Sequence, residues 1–442
     1  MSRSEVVRLA LVGAALAVAT VLVAAVVGIP GKSPSQPPAE GGSVSAAAVT
    51  GPGDMTASIT KLQDRLRRVP GDAQSWASLG IAYVQQARVT GDPRYYNKAA
   101  GVFRRSLEEQ PKANGPALTG KASLAAARHY FGRSLRLTRQ AQRINAYDSV
   151  NLGVMVDALI ELGRYPQAFR ELQRMVDLKP GVPSYARVSY GFELRGDLEG
   201  ATYAMQRAVD VAYSPEDKAF ALYQQGELAW NSGRLDEAAR LYAQGQQTAP
   251  SYVPNLYGLA KTAAAKGETQ TALTRYRELI GRLPLPQYVI EYSDYLTSLG
   301  RQQEAAQQSE LIDAQEHILS AAGVNLDFEL ALYDASHGRE KESLVQARQA
   351  WSGRKGVFVE DAYAWALHVN GHDRQALRHA VHSQQLGTKS ALFAFHRGMI
   401  ENSLGMTKQA RTSLQRALDI NPHFSPLFAP QAQRTLDQLQ SR

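Results

Sequence analysis

Cysteine is missing from all 442 residues. That excludes disulfides, thiolate metal sites and a cysteine nucleophile. A membrane anchor built on a lipidated N-terminal cysteine is excluded with them, although the absence fits either side of a membrane. The short patterns that carry common chemistries are missing too: there is no G-x-S-x-G, no H-E-x-x-H, no G-x-G-x-x-G and no calcium loop. No catalytic residue, cofactor-binding residue or metal ligand is therefore assigned, and the chain is not expected to be an enzyme. Two further absences are local. No charge interrupts Leu9 to Ile29, and no acid occurs between Glu109 and Asp148.

What is present is ordinary for a folded chain: 44% hydrophobic and 20% charged residues, with 49 Lys and Arg against 41 Asp and Glu, a net +8. The uncharged run from Leu9 to Ile29 is long enough, at about 1.5 Å per residue, to cross a bilayer as a helix. A transmembrane signal anchor over 9–29 is expected. The alternative is a cleaved signal ending in the small residues near Ala46–Ala48. Arg3 and Arg8 precede the run and Lys32 stands alone after it, so residues 1–8 are placed in the cytoplasm and the remainder outside, on a single-pass cell-membrane protein. Residues 30–55, rich in Pro, Gly, Ser and Ala without an apolar period, read as a flexible linker spanning roughly 25–30 Å.

From about residue 70 the chain repeats itself. Gly163, Gly196, Gly233, Gly267, Gly300, Gly338, Gly371 and Gly405 recur at intervals of 33–38 residues, each followed five positions later by a small residue: Ala168, Ala201, Ala238, Ala272, Ala305, Ser343, Ala376 and Ala410. The spacing predicts helical hairpins. The glycine ends a first helix at positive φ, and the small residue lets the second helix cross close by. Pro111, Pro180, Pro250, Pro284 and Pro422 end units or start the next. Residues 112–147 carry no turn glycine in phase and form the weakest unit.

The first unit has Trp76, Leu79, Gly80 and Tyr83, then Ala99 and Phe103, then Pro111. On these residues the array resembles the tetratricopeptide repeat, whose pattern runs Trp-x2-Leu-Gly-x2-Tyr, Ala-x3-Phe, Pro. The resemblance covers roughly 72–422. It implies an all-α, right-handed superhelical solenoid of about ten hairpins over 56–429, closed by a C-terminal capping helix over 430–442. It further implies a concave groove lined by the first helix of each hairpin, where a protein or peptide ligand binds. Aligning the units puts Tyr190, Tyr223, Trp230, Tyr257, Trp365 and Phe395 on that inner face, with Asp157, Glu161, Glu193, Glu227 and Asp294 beside them. The basic clamp with which some relatives hold a terminal carboxylate needs Lys and Asn on successive inner helices. Only Lys261 and Asn402 are placed for it, so that ligand is not expected.

Two side-chain groups stand apart from the groove. His379 and His382 share a helix face near His368 and His372, but no carboxylate is in register with the pair, so solvated surface histidines are expected rather than a metal site. Arg133, Arg136, Arg139 and Arg143, spaced 3, 3 and 4, share one face of an acid-free stretch. That face suits anionic headgroups or an acidic partner. Nucleic acid is not expected, since no aromatics interleave with the arginines. The functional expectation is a membrane-tethered, non-enzymatic scaffold for protein–protein interaction. The alternative is a dedicated accessory or regulatory subunit of a membrane transporter or cell-envelope complex.

Overall fold

The computed structural model describes residues 52–325 and 327–441. The expected anchor over 9–29, residues 1–8 and residues 30–51 of the expected linker lie outside them. Among the described residues, no helix is long and apolar enough to cross a membrane.

The described residues form twenty-two helices and no strand. Helix α1 (Pro52–Arg68) begins inside the stretch read as linker, because Met55, Ile59 and Leu66 give it one apolar face that buries against the next helix. Ten hairpins follow: α2 (Ala73–Thr90) with α3 (Arg94–Glu109), α4 (Gly115–Ala127) with α5 (Phe131–Ile144), α6 (Ser149–Glu161) with α7 (Tyr165–Leu178), α8 (Val182–Leu194) with α9 (Leu198–Asp210), and α10 (Pro215–Asn231) with α11 (Leu235–Thr248). The second five are α12 (Pro254–Ala265) with α13 (Thr269–Arg282), α14 (Pro286–Ser298) with α15 (Gln302–Ala321), α16 (Asp327–Ser336) with α17 (Glu340–Gly353), α18 (Val357–Val369) with α19 (Asp373–His382), and α20 (Ala391–Ser403) with α21 (Thr407–Ile420). Helix α22 (Phe428–Gln440) ends the array, laying Phe428, Ala432, Leu436 and Leu439 against the last hairpin.

The turn chemistry follows the sequence closely. All eight phased glycines have positive φ, between 68° and 77°. The eight small residues five positions on are buried. In the weak unit the left-handed position is filled by His129 (φ 62°), and Ser134, five positions later, is fully buried. Phe103 shows why the repeat needs glycine on its first helices. Its ring fills the space where Cβ atoms on Gly80 and Gly120 would stand, 2.4 and 2.2 Å from ring carbons. Polar caps fix several helix starts: Asp72, Asn114, Asp148, Asp197, Ser214 and Ser390 each accept a backbone N–H of the first turn. Such caps are typically worth about 1 kcal/mol each.

Hairpins do not pack only on their sequence neighbours. The turn closing the first helix of a hairpin meets the loop that follows the fifth hairpin along. His129 Nδ1 contacts the Asn325 carbonyl, and Asn325 N donates to Arg128 O (3.2 Å). Lys355 N and Gly356 N donate to Glu161 O (3.0 and 3.1 Å), and Val357 N donates to Tyr165 Oη (2.8 Å). Thr388 Oγ1 donates to Leu194 O (2.6 Å) and Asn421 Nδ2 to Trp230 O (2.8 Å). Leu283 and Leu285 lie beside Gly91. The side-chain contacts of this seam join residues 191–196 apart. At 33–38 residues per hairpin, that is between five and six hairpins. The solenoid therefore coils until its second tier rests on its first.

Coiling changes the environment of the first helices. Every residue of α6 from Asn151 to Glu161 is buried, and so is every residue of α10 from Ala219 to Ala229. Val357 and Phe393 from the second tier share a cluster with Met155, Ile160, Tyr190 and Leu194 from the first. The second helices bury one stripe each, such as Tyr165, Ala168, Leu172 and Met175 of α7, and turn the other side to solvent.

Candidate functional site at the open end of the coil

The acids expected on the inner face are there, and most are already engaged. Asp157 accepts a bidentate pair from Arg187 (2.8 and 2.7 Å), both side chains being almost fully buried. Burial still holds the Asp157 carboxyl above its ordinary range, against the opposing pull of Arg187. Glu161 binds Arg354 across the seam (2.6 Å). Glu193 accepts from Asn231 Nδ2 (3.1 Å), and burial pushes its carboxyl up to about 7. Glu227 accepts from Lys261 Nζ on both carboxylate oxygens, each at 2.8 Å, and from Tyr242 Oη (2.6 Å). Lys261, one of the two residues placed for a carboxylate clamp, is thus held by an acid.

The groove aromatics are mostly consumed by packing. Tyr190, Tyr223, Tyr257, Trp365 and Phe395 are buried. Tyr223 packs on Tyr242 and Tyr252, Tyr257 on Tyr288, and Trp365 on Phe395, His396 and Phe428. Trp230 alone of the group is partly exposed, with Lys261 Nζ 4.9 Å from its ring.

His372 and His382 are exposed, as the surface reading has them, but His368 and His379 are half-buried. A carboxylate does meet the pair, supplied by the preceding helix: Glu360 Oε1 accepts from His379 Nδ1 (2.7 Å) and His382 Nδ1 (3.2 Å), while Glu360 Oε2 accepts from Trp351 Nε1 (2.7 Å). His379 also packs edge-on against Trp351 and Tyr363. Register along one helix could not reveal a partner on another. Among the described residues no group of three or more His, Cys, Asp or Glu is arranged to hold a metal ion.

Arg133, Arg136 and Arg143 are exposed on α5 and Arg139 is half-buried. Ion pairs flank this stretch, Arg105 with Glu109 and Arg174 with Glu171, and among the described residues none falls within it. Burial and the nearby Arg133 charge hold the Lys121 ammonium below its ordinary range. Tyr130, Ile144 and Tyr147 are exposed on the same helix or at its ends, Tyr147 at 78%.

One cavity, of about 330 Å³, combines aromatic walls with convergent polar groups. It lies between α12, α14 and the segment from Pro422 to Pro430, where the second tier ends. Its walls include Trp230, Tyr276, Tyr295 and Phe424, and its polar groups include Lys261, Gln287, Glu291, Asp294 and His423. Glu291 is half-buried and accepts from the hydroxyls of Tyr257 and Tyr276. Burial raises its carboxyl, partly opposed by Lys261 and the two hydroxyls. Asp294 is 1% exposed, and its Oδ1 has no hydrogen-bond partner. Burial and the adjacent Glu291 hold its carboxyl well above the carboxylate range. His337 Nε2 is 3.6 Å from that oxygen, beyond hydrogen-bond reach. Sequence reading found Trp230, Lys261 and Asp294 but not Glu291 or Tyr295, although Glu291, Asp294 and Tyr295 lie at helical spacing on α14.

Residues 393–424 match the family model described as the tetratricopeptide repeat. The match runs from within α20 to beyond α21, so it spans nearly all of the last hairpin. No curated protein matches the chain. Among solved structures, the APC/C hetero-tetramer Cut9–Hcn1 is 13% identical, with 88% of this chain and 93% of that chain covered and a TM-score of 0.38. Yeast Tom70 is 12% identical over 88% of this chain and 86% of that one, with a TM-score of 0.32. YrrB, a TPR protein with an unusual peptide-binding site, is 20% identical over 41% of this chain and 92% of that one, with a TM-score of 0.28.

Proposed function

We propose that this chain is a membrane-tethered, non-enzymatic scaffold that holds a partner protein at the open end of its coil, with the α5 face turned toward an anionic lipid surface. The carrying observation is the allocation of polar groups. Along the inner helices, buried acids are matched by Arg187, Arg354, Asn231 and Lys261. Asp294 Oδ1 and Gln287 Nε2, both in the walls of the cavity, lack partners; Asp361 Oδ1, Trp365 Nε1 and His396 Nε2 on later inner helices lack them too, but those residues do not line the cavity. A buried polar group left unpaired costs about 1–3 kcal/mol, which a ligand can recover. The tether rests on the uncharged run from Leu9 to Ile29 and the arginines before it.

Crosslinking in the native membrane, followed by mass spectrometry, tests the scaffold. Captured proteins crosslinked near Trp230 and α14 support it. A single stoichiometric partner identifies the chain as a dedicated accessory subunit, and several identify a general scaffold. The lipid face is tested with vesicles. Residues 52–442 should float with vesicles containing phosphatidylserine and not with neutral ones. Binding should weaken with added salt and on replacing Arg133, Arg136 and Arg143 by Gln. Equal flotation with neutral vesicles rejects the lipid face.

A further inference from the structure

The seam shows what fills the space beside a hairpin turn. At the third hairpin the loop carrying Arg354 crosses the turn after α6. Its Lys355 and Gly356 amides donate to Glu161 O, and the Arg354 guanidinium lies on the Glu161 carboxylate, 5.0 Å from the ring of Phe131 and 5.2 Å from that of Phe328. Elsewhere Thr388 and Asn421 supply the donors. Each such rung is a loop whose backbone or side chain donates to a carbonyl at the end of a first helix, the loop being extended at Arg354 and Asn421. The third rung adds an arginine seated on a buried acid between aromatic rings.

At the sixth hairpin Ala265 stands where the third has Glu161, and the acids beside the turn, Glu291 and Asp294, come from α14 of the seventh; among the described residues no segment is laid against the turn glycine. Cβ atoms placed on Gly163, Gly196 and Gly233 would meet backbone of the next tier, whereas one on Gly267 would meet nothing within 4 Å. Among the described residues no backbone stands against that turn as Lys355 stands against Gly163. Ala264, Ala265 and Gly267 therefore line the cavity together with Glu291 and Asp294. Its own cation, Lys261, is held by both oxygens of Glu227. His337 donates Nδ1–H to Tyr333 O, and burial lowers its pKa to about 4, so a neutral ring faces Asp294. The three acids Glu227, Glu291 and Asp294 thus face one ammonium and neutral imidazole, with His423 at the cavity wall.

We propose that this open rung receives an extended segment of a partner protein and seats its arginine guanidinium on Glu291 and Asp294, between Trp230, Tyr295 and Phe424, as Arg354 is seated on Glu161. The assignment rests on the scaffold reading above and names the chemistry of the partner. Arginine suits the site because its planar fork pairs with carboxylates and stacks on aromatic rings at once. Both cavity carboxyls are raised in the empty site, so seating a cation draws them toward ionisation and releases protons. Affinity should then rise with pH through the range in which these carboxyls titrate.

The probe is the pentapeptide acetyl-Gly-Arg-Lys-Gly-Val-amide, which repeats the order around Arg354, titrated into the protein by calorimetry. Its control carries citrulline in place of arginine, isosteric and uncharged. Saturable binding is expected, weakened at least tenfold by citrulline and by either Asp294→Asn or Glu291→Gln, with the melting temperature of the variants preserved. Equal binding of the citrulline peptide, indifference to Asp294→Asn, or no saturation at millimolar peptide overturns the assignment. So does a dimer abolished by Asp294→Asn, which gives the rung to a second copy. Native crosslinking run in parallel separates the two levels. If wild type and Asp294→Asn capture the same partners, the arginine rung fails and the scaffold stands; if neither captures any, both fail.

Discussion

At the scale of single residues, the interior is a set of ionisable groups whose partners arrive from other units. Glu193 is the clearest case for measurement. Burial raises its carboxyl from 4.5 to about 7 in the folded chain, with the Asn231 amide opposing. An acid raised on folding binds its proton more tightly in the native state, so its cost is absent below about pH 4.5, grows as pH rises toward 7 and levels off above it. Glu193→Gln keeps the acceptor for Asn231 and removes the charge. The variant should match wild type near pH 4.5 and exceed it at pH 8 by roughly 1–2 kcal/mol, discounted for partial exposure. Urea denaturation at the two pH values measures this, and a constant difference would contradict it. The positions of these acids were legible from aligning the repeats. Their partners were not, because Arg187, Asn231 and Arg354 stand 30, 38 and 193 residues away on other hairpins.

At the scale of elements, the hairpin was legible because both its determinants are local: a residue able to take positive φ and a small residue five positions on. The second hairpin, read as the weakest unit, lacks the phased glycine because His129 takes that conformation, which for a non-glycine residue costs roughly 1–2 kcal/mol, while its ring reaches the Asn325 carbonyl in the other tier. Local pattern cannot announce a contact that far away. The turn glycines separate the two demands. Gly267→Ala and Gly300→Ala meet empty space and should cost only the conformational penalty, roughly 1–2 kcal/mol. Gly163→Ala and Gly196→Ala place a Cβ 2.5 Å from Lys355 O and 2.3 Å from Gly387 O. They should cost a further 1–3 kcal/mol or so, because backbone must move. Urea midpoints for the four variants order the series. Equal losses at all four would mean that the tiers do not rest on one another in solution.

At the scale of the whole molecule, the unanticipated property is closure. Stacked hairpins were expected to leave an open concave groove. Instead the inner helices are covered by the opposite tier, and the aromatic side chains assigned to the groove are largely spent inside. The reason is geometric. Whether a coil closes depends on small rotations between successive hairpins, which accumulate over five units and leave no signature at any single position. Arg354 is the side chain on which closure can be tested. Arg354→Ala leaves the Glu161 carboxylate uncompensated at a buried seam, a loss of about 3–5 kcal/mol where the site stays dry. A repeat array has a cheaper response than unfolding: the tiers part and water reaches Glu161, since each hairpin keeps its neighbours. The variant should therefore retain its helical circular dichroism while its radius of gyration rises in small-angle scattering. Glu161→Leu with Arg354→Met, which removes both charges and keeps apolar volume, should scatter like wild type. Scattering of the single variant that matches wild type would mean that the remaining rungs, from Asn325 to Asn421, hold the coil shut without this ion pair.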